Sequence, residues 1–331
     1  LDRGARRVFV APNYNEAGRE ITPRRSFPYD LLVFAVGSVS NDFGVPGAQE
    51  HCLFLDTTQQ AQAFQRHLLD TLLRAHAHGG PVEPAQLDLA IVGGGATGIE
   101  LAAQLHAATR QLAAYGLDEI KPDRDVHITL LEAGPRLAAA LPERLSRAVQ
   151  QRLERLGIAV HTDERVVEVT PHELRTASGR TIPAATKVWC AGIKAPDFLA
   201  GLDGLETNGS HQLMVDHHLR TTRDPDIYAF GDCAACPLDG AGLVPPRAQA
   251  AHQEASYLAK ALVRRLRGRD IGAFRYRDYG SLITLGKYST VGSLMGHLTG
   301  SVMVSGFIAR TMYLSLYQMH QIALHGWTRT I

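Results

Sequence analysis

A short apolar run, Leu87-Asp-Leu-Ala-Ile-Val92, leads straight into Gly93-Gly-Gly-Ala-Thr-Gly98, and the residues that follow read as helix to about residue 114. No other feature of the chain limits its fold as much. Gly93, Gly95 and Gly98 match G-x-G-x-x-G in the context the pattern needs, with a buried strand before it and a helix after it. The first glycine permits a tight turn, the second lets backbone approach a pyrophosphate, and the third lets helix and strand pack closely. Gly94 and Thr97 lie inside the same turn, and the unpaired N–H groups of the helix start face the phosphates. The expected ligand is a dinucleotide.

The next strand, expected over 126–132, ends in Glu132. It comes later than the ~20 residues usual after the glycines, and the polar insert at 115–125 accounts for the excess. A carboxylate there accepts hydrogen bonds from a ribose diol and repels a 2′-phosphate, so the expectation is NADH rather than NADPH.

Other elements follow from pattern. The apolar run Leu31-Leu-Val-Phe-Ala-Val36 reads as a strand buried on both faces. Residues 59–78 read as a helix with Ala61, Phe64, Leu68, Leu69 and Leu72 on one side, stopped by Gly79-Gly-Pro81. An amphipathic helix is expected over 143–156, closed by Gly157, then an antiparallel meander over 160–182 and a buried strand over 187–192. A strand over 226–230 ends in Gly231-Asp232, and Pro245-Pro246 opens a helix to about Arg267, with Gly268 as its stop. Phe34-Ala-Val-Gly37 and Trp189-Cys-Ala-Gly192 are partial repeats of one strand-to-glycine pattern, which suggests two related α/β domains.

Composition excludes some classes. The 331 residues suffice for two domains, and 45% hydrophobic with 20% charged residues supports ordinary cores. A net charge of +1 gives no footprint for nucleic acid, and four cysteines in a long chain point to a reducing compartment rather than a disulfide framework. No metal site is expected. The start, Leu1-Asp-Arg-Gly-Ala-Arg-Arg, has no apolar signal core and no initiating Met, so the N-terminus reads as cut. No run of about 18 apolar residues suggests a spanning helix.

Tyr29-Asp-Leu-Leu-Val-Phe-Ala-Val-Gly37, the central glycine loop and Asp226-Ile-Tyr-Ala-Phe-Gly-Asp232 occur in this order in the flavoproteins with two dinucleotide-binding domains, which the chain resembles. Further stretches narrow the resemblance to the type II NADH dehydrogenases, and to the proteobacterial respiratory members in particular. These are Ser40-Asn-Asp-Phe43, Ala191-Gly-Ile-Lys-Ala-Pro-Asp-Phe198, Val244-Pro-Pro-Arg-Ala-Gln-Ala-Ala-His-Gln253, Gly280-Ser-Leu-Ile283, Val291-Gly-Ser-Leu-Met-Gly296 and Tyr313-Leu-Ser-Leu-Tyr-Gln-Met-His-Gln-Ile-Ala-Leu-His-Gly326. The resemblance covers essentially the whole chain. It implies an α/β fold of two Rossmann-like domains plus a C-terminal membrane-facing region. The implied segments are an FAD-binding part over 1–56, an NADH-binding domain over 57–203, a second FAD-binding part with a quinone-side helix over 204–270, and a membrane-associating region over 271–331. The family opens with a βαβ unit carrying its own glycine loop for FAD, and this chain reads as a fragment that starts after it.

By the same resemblance the activity is NADH:quinone oxidoreduction without proton pumping, with non-covalent FAD as cofactor and NADH as substrate. FAD contacts are implied for Ala35, Gly37, Gly231, Asp232, Ala248 and Gln249, and NADH contacts for Ala191 and Gly192 beside Gly93, Gly94, Gly95, Thr97, Gly98 and Glu132. Gln249 would border both flavin and quinone. His252 and Gln253 share its helix face at i+3 and i+4 and are further quinone-side candidates. Glu100, two residues past the last glycine, matches a family glutamate that approaches the flavin. Quinone reduction takes up two protons, so Glu100 is the candidate carrier. Cys233-Ala-Ala-Cys236 invites a rival reading as a redox pair, which would make the chain a soluble NAD-linked flavin disulfide reductase. A second rival is a bare NADH-binding module.

Near the C-terminus Thr311, Ser315, Gln318, Gln321 and His325 form one polar stripe, opposite Met312, Tyr313, Leu316, Ala323 and Trp327. An amphipathic helix with Tyr and Trp suits attachment to a membrane surface. His320 on its apolar side is a further quinone-side candidate. The expected setting is a peripheral enzyme on the cytoplasmic face of the bacterial inner membrane, and a homodimer falls within the expectation.

Overall fold

The structure is a computed structural model. It describes residues 1–15, 17–77, 82–83, 85–117, 119–270, 272–284, 290–294 and 302–305, together with Gln318 and Ile322. The chain divides into two compact units, Leu1–Val39 with Ile193–Asp278, and Ser40–Gly192 with Tyr279–Ile331. These limits differ from the expected segment ends at 56, 203 and 270. Residues 40–56 join the second unit because Leu53 bridges to Val188, with Leu53 N–H donating to Lys187 O at 2.8 Å and Trp189 N–H to Leu53 O at 2.9 Å. Residues 193–203 join the first because Ala195 and Leu199 are buried in its core.

The second unit is built on a four-stranded parallel sheet in the order Thr186–Trp189, Leu89–Val92, Ile128–Leu131, Ala159–His161. All four residues of Leu89–Val92 are buried. Side chains alternate across the sheet, so Leu89 and Ile91 face one core and Ala90 and Val92 another. The first core is made with helices Thr58–Ala77, Ala96–Ala114 and Glu143–Arg155, through Phe64, Leu68 and Leu72, through Ile99, Ala102 and Ala103, and through Leu145, Val149 and Leu153. The second is closed by Val166, Val169, Leu174 and Ile182 of an antiparallel meander, Val166–Val169, Glu173–Thr176, Thr181–Pro183. Coverage on both faces is what a parallel sheet requires.

Two expectations here need correction. Val160 does not open the meander; it pairs in parallel with Leu130. Gly157, at φ +79°, ends the preceding helix and returns the chain to the main sheet, which completes a β-α-β unit. Ala61 is exposed and Leu69 only half-buried, because the inward face of its helix runs through Phe64, Leu68, Leu72 and Ala75. The stop at Gly79-Gly-Pro81 lies outside the described residues.

Part of the segment expected to face a membrane packs on this unit. Strands Gly280–Thr284, Thr290–Leu294 and Val302–Ser305 form an antiparallel meander. The first lies against helix Ala96–Ala114 and the second against Glu143–Arg155, and Ile283 is buried in the sheet-and-helix core. Of the expected 307–327 helix only Gln318 and Ile322 are described, both helical; His320 lies outside the described residues. No helix among the described residues is long and apolar enough to cross a membrane.

In the first unit, Leu32–Phe34 runs parallel to Asp224–Ala229, with Phe34 opposite Ala229. Phe34, Leu213, Leu219, Ile227, Ala229 and Leu258 share its core. The 31–36 strand is shorter than expected and not buried on both faces: Leu32 and Val33 are half-buried and Val36 is 44% exposed. Among the described residues it is paired along one edge only. The helix expected from Pro245-Pro246 begins at Ala248 and ends at Leu266, after an extended Arg247 at φ −149°. A residue before a proline is disfavoured in the helical region, which keeps Val244 and Pro245 out of the helix.

Candidate active site

Each unit carries a turn at the C-terminal ends of parallel strands, where α/β folds bind ligands. In the second unit the chain passes from Leu89–Val92 through Gly93–Gly95 into helix Ala96–Ala114. That strand is the switch point of its sheet, with later strands added on both sides. Gly93 has φ +110°, and a Cβ there would lie 2.7 Å from the Ala191 backbone. A Cβ on Gly98 would lie 2.0 Å from Gly93 O. Gly95 is the opposite case: nothing lies within 4 Å of where its Cβ would be. It is the helix N-cap and, as glycine, has no side chain with which to cap the first N–H groups of the helix. Gly93 and Gly98 are thus required by packing, whereas Gly95 leaves room for a ligand. That arrangement fits a dinucleotide pyrophosphate.

Glu132 is half-buried beside this loop. Its Oε2 accepts Gly94 N–H and its Oε1 accepts Gly134 N–H, both at 2.7 Å. A carboxylate has about four lone-pair positions, so acceptors remain for a ribose diol. Thr97 is exposed and Glu100 half-buried on the first two turns of the helix. Ala191 carbonyl accepts Trp189 Nε1–H at 3.0 Å. Gly192, exposed at φ +63°, lies under Phe43, whose Cζ would be 2.4 Å from a Cβ there.

In the first unit the parallel pair brings residues 35–38 beside 230–232, and Phe230 N–H donates to Phe34 O at 3.1 Å. Ala35 is exposed. Gly37 and Gly231 have φ +69° and +73°, and no atom comes within 3.4 Å of a Cβ built on either. Ser38 Oγ donates to Asp232 Oδ2 at 2.8 Å, and Gln212 Nε2 donates to Asp232 O at 2.9 Å. These bonds fix the Asp232 side chain and backbone together. Asp232 borders a cleft of about 200 Å³ with Lys194, Gln212, Val244, Pro245 and Pro246. Two open glycine turns, a fixed carboxylate and an adjoining cleft fit the part of an FAD site that strand ends can build.

Helix Ala248–Leu266 packs on the 231–233 turn. Ala248 is exposed at its start and His252 is exposed one turn on. Gln249 Nε2 donates to Asp278 Oδ1 at 3.2 Å. Gln253 bonds one neighbour at two points: Nε2 donates to Arg277 O at 2.8 Å, and Oε1 accepts Arg277 N–H at 3.0 Å. That two-point bond pins the 274–278 segment and gives Gln253 a structural task. Pattern reading missed Ser38, Gln212 and Asp278, whose parts depend on distant residues. It also missed Glu254, whose signal was available: an acid on the stripe Ala250, Glu254, Leu258, Ala261 that the helix buries.

Cys233 and Cys236 are buried free thiols. Cys233 Sγ donates to Phe230 O at 3.3 Å. Burial pushes the Cys233 thiol up and, with the charges of Glu254 and Asp216, pushes Cys236 up to about 12. A redox pair needs an accessible thiolate, so this environment counts against a dithiol mechanism.

The pyridine nucleotide-disulphide oxidoreductase family matches residues 1–255. The type II NADH:quinone oxidoreductase of Haemophilus influenzae is 40% identical over 98% of this chain and 76% of its own length. A probable NADH dehydrogenase of Dictyostelium discoideum is 31% identical over 92% of this chain and 67% of its own. Among solved structures, NDH2 of Plasmodium falciparum in complex with NADH superposes with a TM-score of 0.81 over 96% of this chain and 78% of that one, at 18% identity, a likeness of fold. The chain belongs to the pyridine nucleotide-disulphide oxidoreductases and, within them, to the type II NADH:quinone oxidoreductases.

Proposed function

We infer that this chain oxidises NADH, with FAD as cofactor, and passes the electrons to a membrane quinone in a respiratory chain. The observation that carries the reading is the pair of strand-end turns, one open at Gly95 beside Glu132 and one open at Gly37 and Gly231 beside Asp232. Bound FAD supplies the chemistry that couples a two-electron hydride donor to a quinone. The protein's own residues bind, orient and move protons. The helix start after Gly95 holds the NADH pyrophosphate, and the free acceptors of Glu132 hold its ribose. Thr97, Ala191 and Gly192 line the same side. Asp232, fixed by Ser38, accepts hydrogen bonds from the FAD ribityl chain, and Ala35, Gly37 and Gly231 let backbone approach the cofactor. Ala248 and Gln249, at a helix start whose partial positive charge favours added negative charge, face the flavin and quinone. His252 lies further along the same face. Glu100 is the proposed proton carrier to quinone.

In this proposal the amphipathic 307–327 pattern attaches the enzyme to the membrane surface, with His320 on its apolar side. The free thiols of Cys52, Cys190, Cys233 and Cys236 support the cytoplasmic face, where thiols stay reduced. A homodimer is proposed because two-fold pairs are the commonest oligomers.

Stopped-flow measurement of the two half-reactions tests the assignment. NADH should bleach the flavin absorbance and quinone restore it. Glu100→Gln should slow the quinone step at least about tenfold while leaving reduction by NADH nearly unchanged, in line with loss of a general acid. Equal slowing of both steps would remove Glu100 from this role.

A further inference from the structure

Glu254 is 2% exposed, on the buried stripe of helix Ala248–Leu266. Its Oε2 accepts the Gly231 N–H at 2.7 Å. Gly231 is the left-handed residue of the turn that presents Asp232, so one side chain ties this helix to the turn. Buried carboxylates are ordinarily paired with a cation or relieved by several hydrogen bonds. The titratable groups that act on or respond to Glu254 are Asp232 on the turn, Cys236 just past it and Tyr276 from the end of the unit. All three are acids, and none offers a compensating charge.

We propose that Glu254 is a positioning residue for the Gly231–Asp232 turn and carries the proton that links flavin binding to pH. The proposal rests on the assignment of this turn to FAD. The neutral acid still accepts the Gly231 N–H and adds no charge beside Asp232 and the cofactor's pyrophosphate. Ionisation places a second buried negative charge behind the turn. A pyrophosphate-bearing cofactor therefore binds the protonated form better, and its binding holds the proton in place.

Physical chemistry sets the pH window. Burial pushes Glu254 up to about 7, opposed by the Gly231 hydrogen bond and aided by Asp232. Its folded pKa is thus raised above the usual carboxylate value. The stability contributed by the neutral form is complete below that usual value and is lost as pH rises through about 7.

Two variants of the full chain separate the roles. Glu254→Gln keeps an acceptor and removes the titration; Glu254→Met removes both. The readouts are the FAD dissociation constant from pH 5.5 to 8.5 and hydrogen exchange at the Gly231 amide. The wild-type constant should rise above pH 7 by up to about tenfold per pH unit, the limit for one linked proton. Glu254→Gln should give a flat profile with Gly231 still protected, and Glu254→Met should lose that protection. A wild-type profile as flat as that of Glu254→Gln, or unchanged Gly231 protection in Glu254→Met, would overturn the proposal while leaving the flavin assignment standing. A wild-type chain that binds no FAD at any pH overturns both. If Glu254→Met fails to fold, the comparison of wild type with Glu254→Gln still decides the pH linkage.

Discussion

Gly95 and Gly98 belong to one motif but should respond oppositely to the same added methyl group. At Gly98 a Cβ would sit 2.0 Å from Gly93 O and 3.2 Å from Gly93 C. The comfortable separation of non-bonded heavy atoms is about 3.5 Å, so the helix start and strand end must part by about 1.5 Å. Both are backbone within a packed sheet-and-helix core, and overpacking of this kind costs about 1–3 kcal/mol. At Gly95 no atom lies within 4 Å of the Cβ position, and the backbone is already in the ordinary extended region at φ −75°. Ala there should change stability by less than about 1 kcal/mol, because the unfolded chain loses freedom while Ala is a poorer N-cap than Gly. Its methyl group would occupy the space a pyrophosphate needs. Losing one charge-assisted hydrogen bond of about 1.5–3 kcal/mol weakens NADH binding roughly 10- to 150-fold. Chemical unfolding and NADH titration of both variants provide the assay. Gly95→Ala should be a stable weak binder, and Gly98→Ala a destabilised protein whose affinity falls with its fold. NADH affinity at the wild-type level in Gly95→Ala would refute the assignment of that open space to the pyrophosphate.

Two further outcomes are expected. Glu132→Arg should raise NADPH use relative to NADH in steady-state kinetics and lower NADH efficiency overall, because Glu132 also braces the Gly94 and Gly134 amides; an unchanged coenzyme ratio would remove Glu132 from the ribose site. Deleting 305–331 should release the enzyme from membrane vesicles in a sedimentation assay, and continued co-sedimentation would count against the C-terminal attachment.

Much of the candidate NADH side is readable from local pattern. A continuous apolar strand, three glycines at fixed spacing and an acid at the next strand end each act within a few residues of themselves, so sequence order carries them. The limits of the two units are not carried this way. Leu53 joins the second unit and Ala195 the first because of strand and core partners far away in sequence, and no local signal marks this. Val160 looked like the start of a meander because its alternation matches one; only pairing with Leu130 shows which sheet it joins.

The sequence by itself determined the ligand class, through glycines whose missing side chains are a chemical fact before folding. The tertiary structure decided which of those glycines serve packing and which leave room, since that depends on what lies opposite each missing Cβ. It decided that Cys233 and Cys236 are buried thiols and that Gln253 is occupied by the Arg277 backbone. It also placed Glu254 against Gly231. Burial and hydrogen-bond partners are properties of neighbours in space, and those neighbours come from segments the chain brings together only on folding.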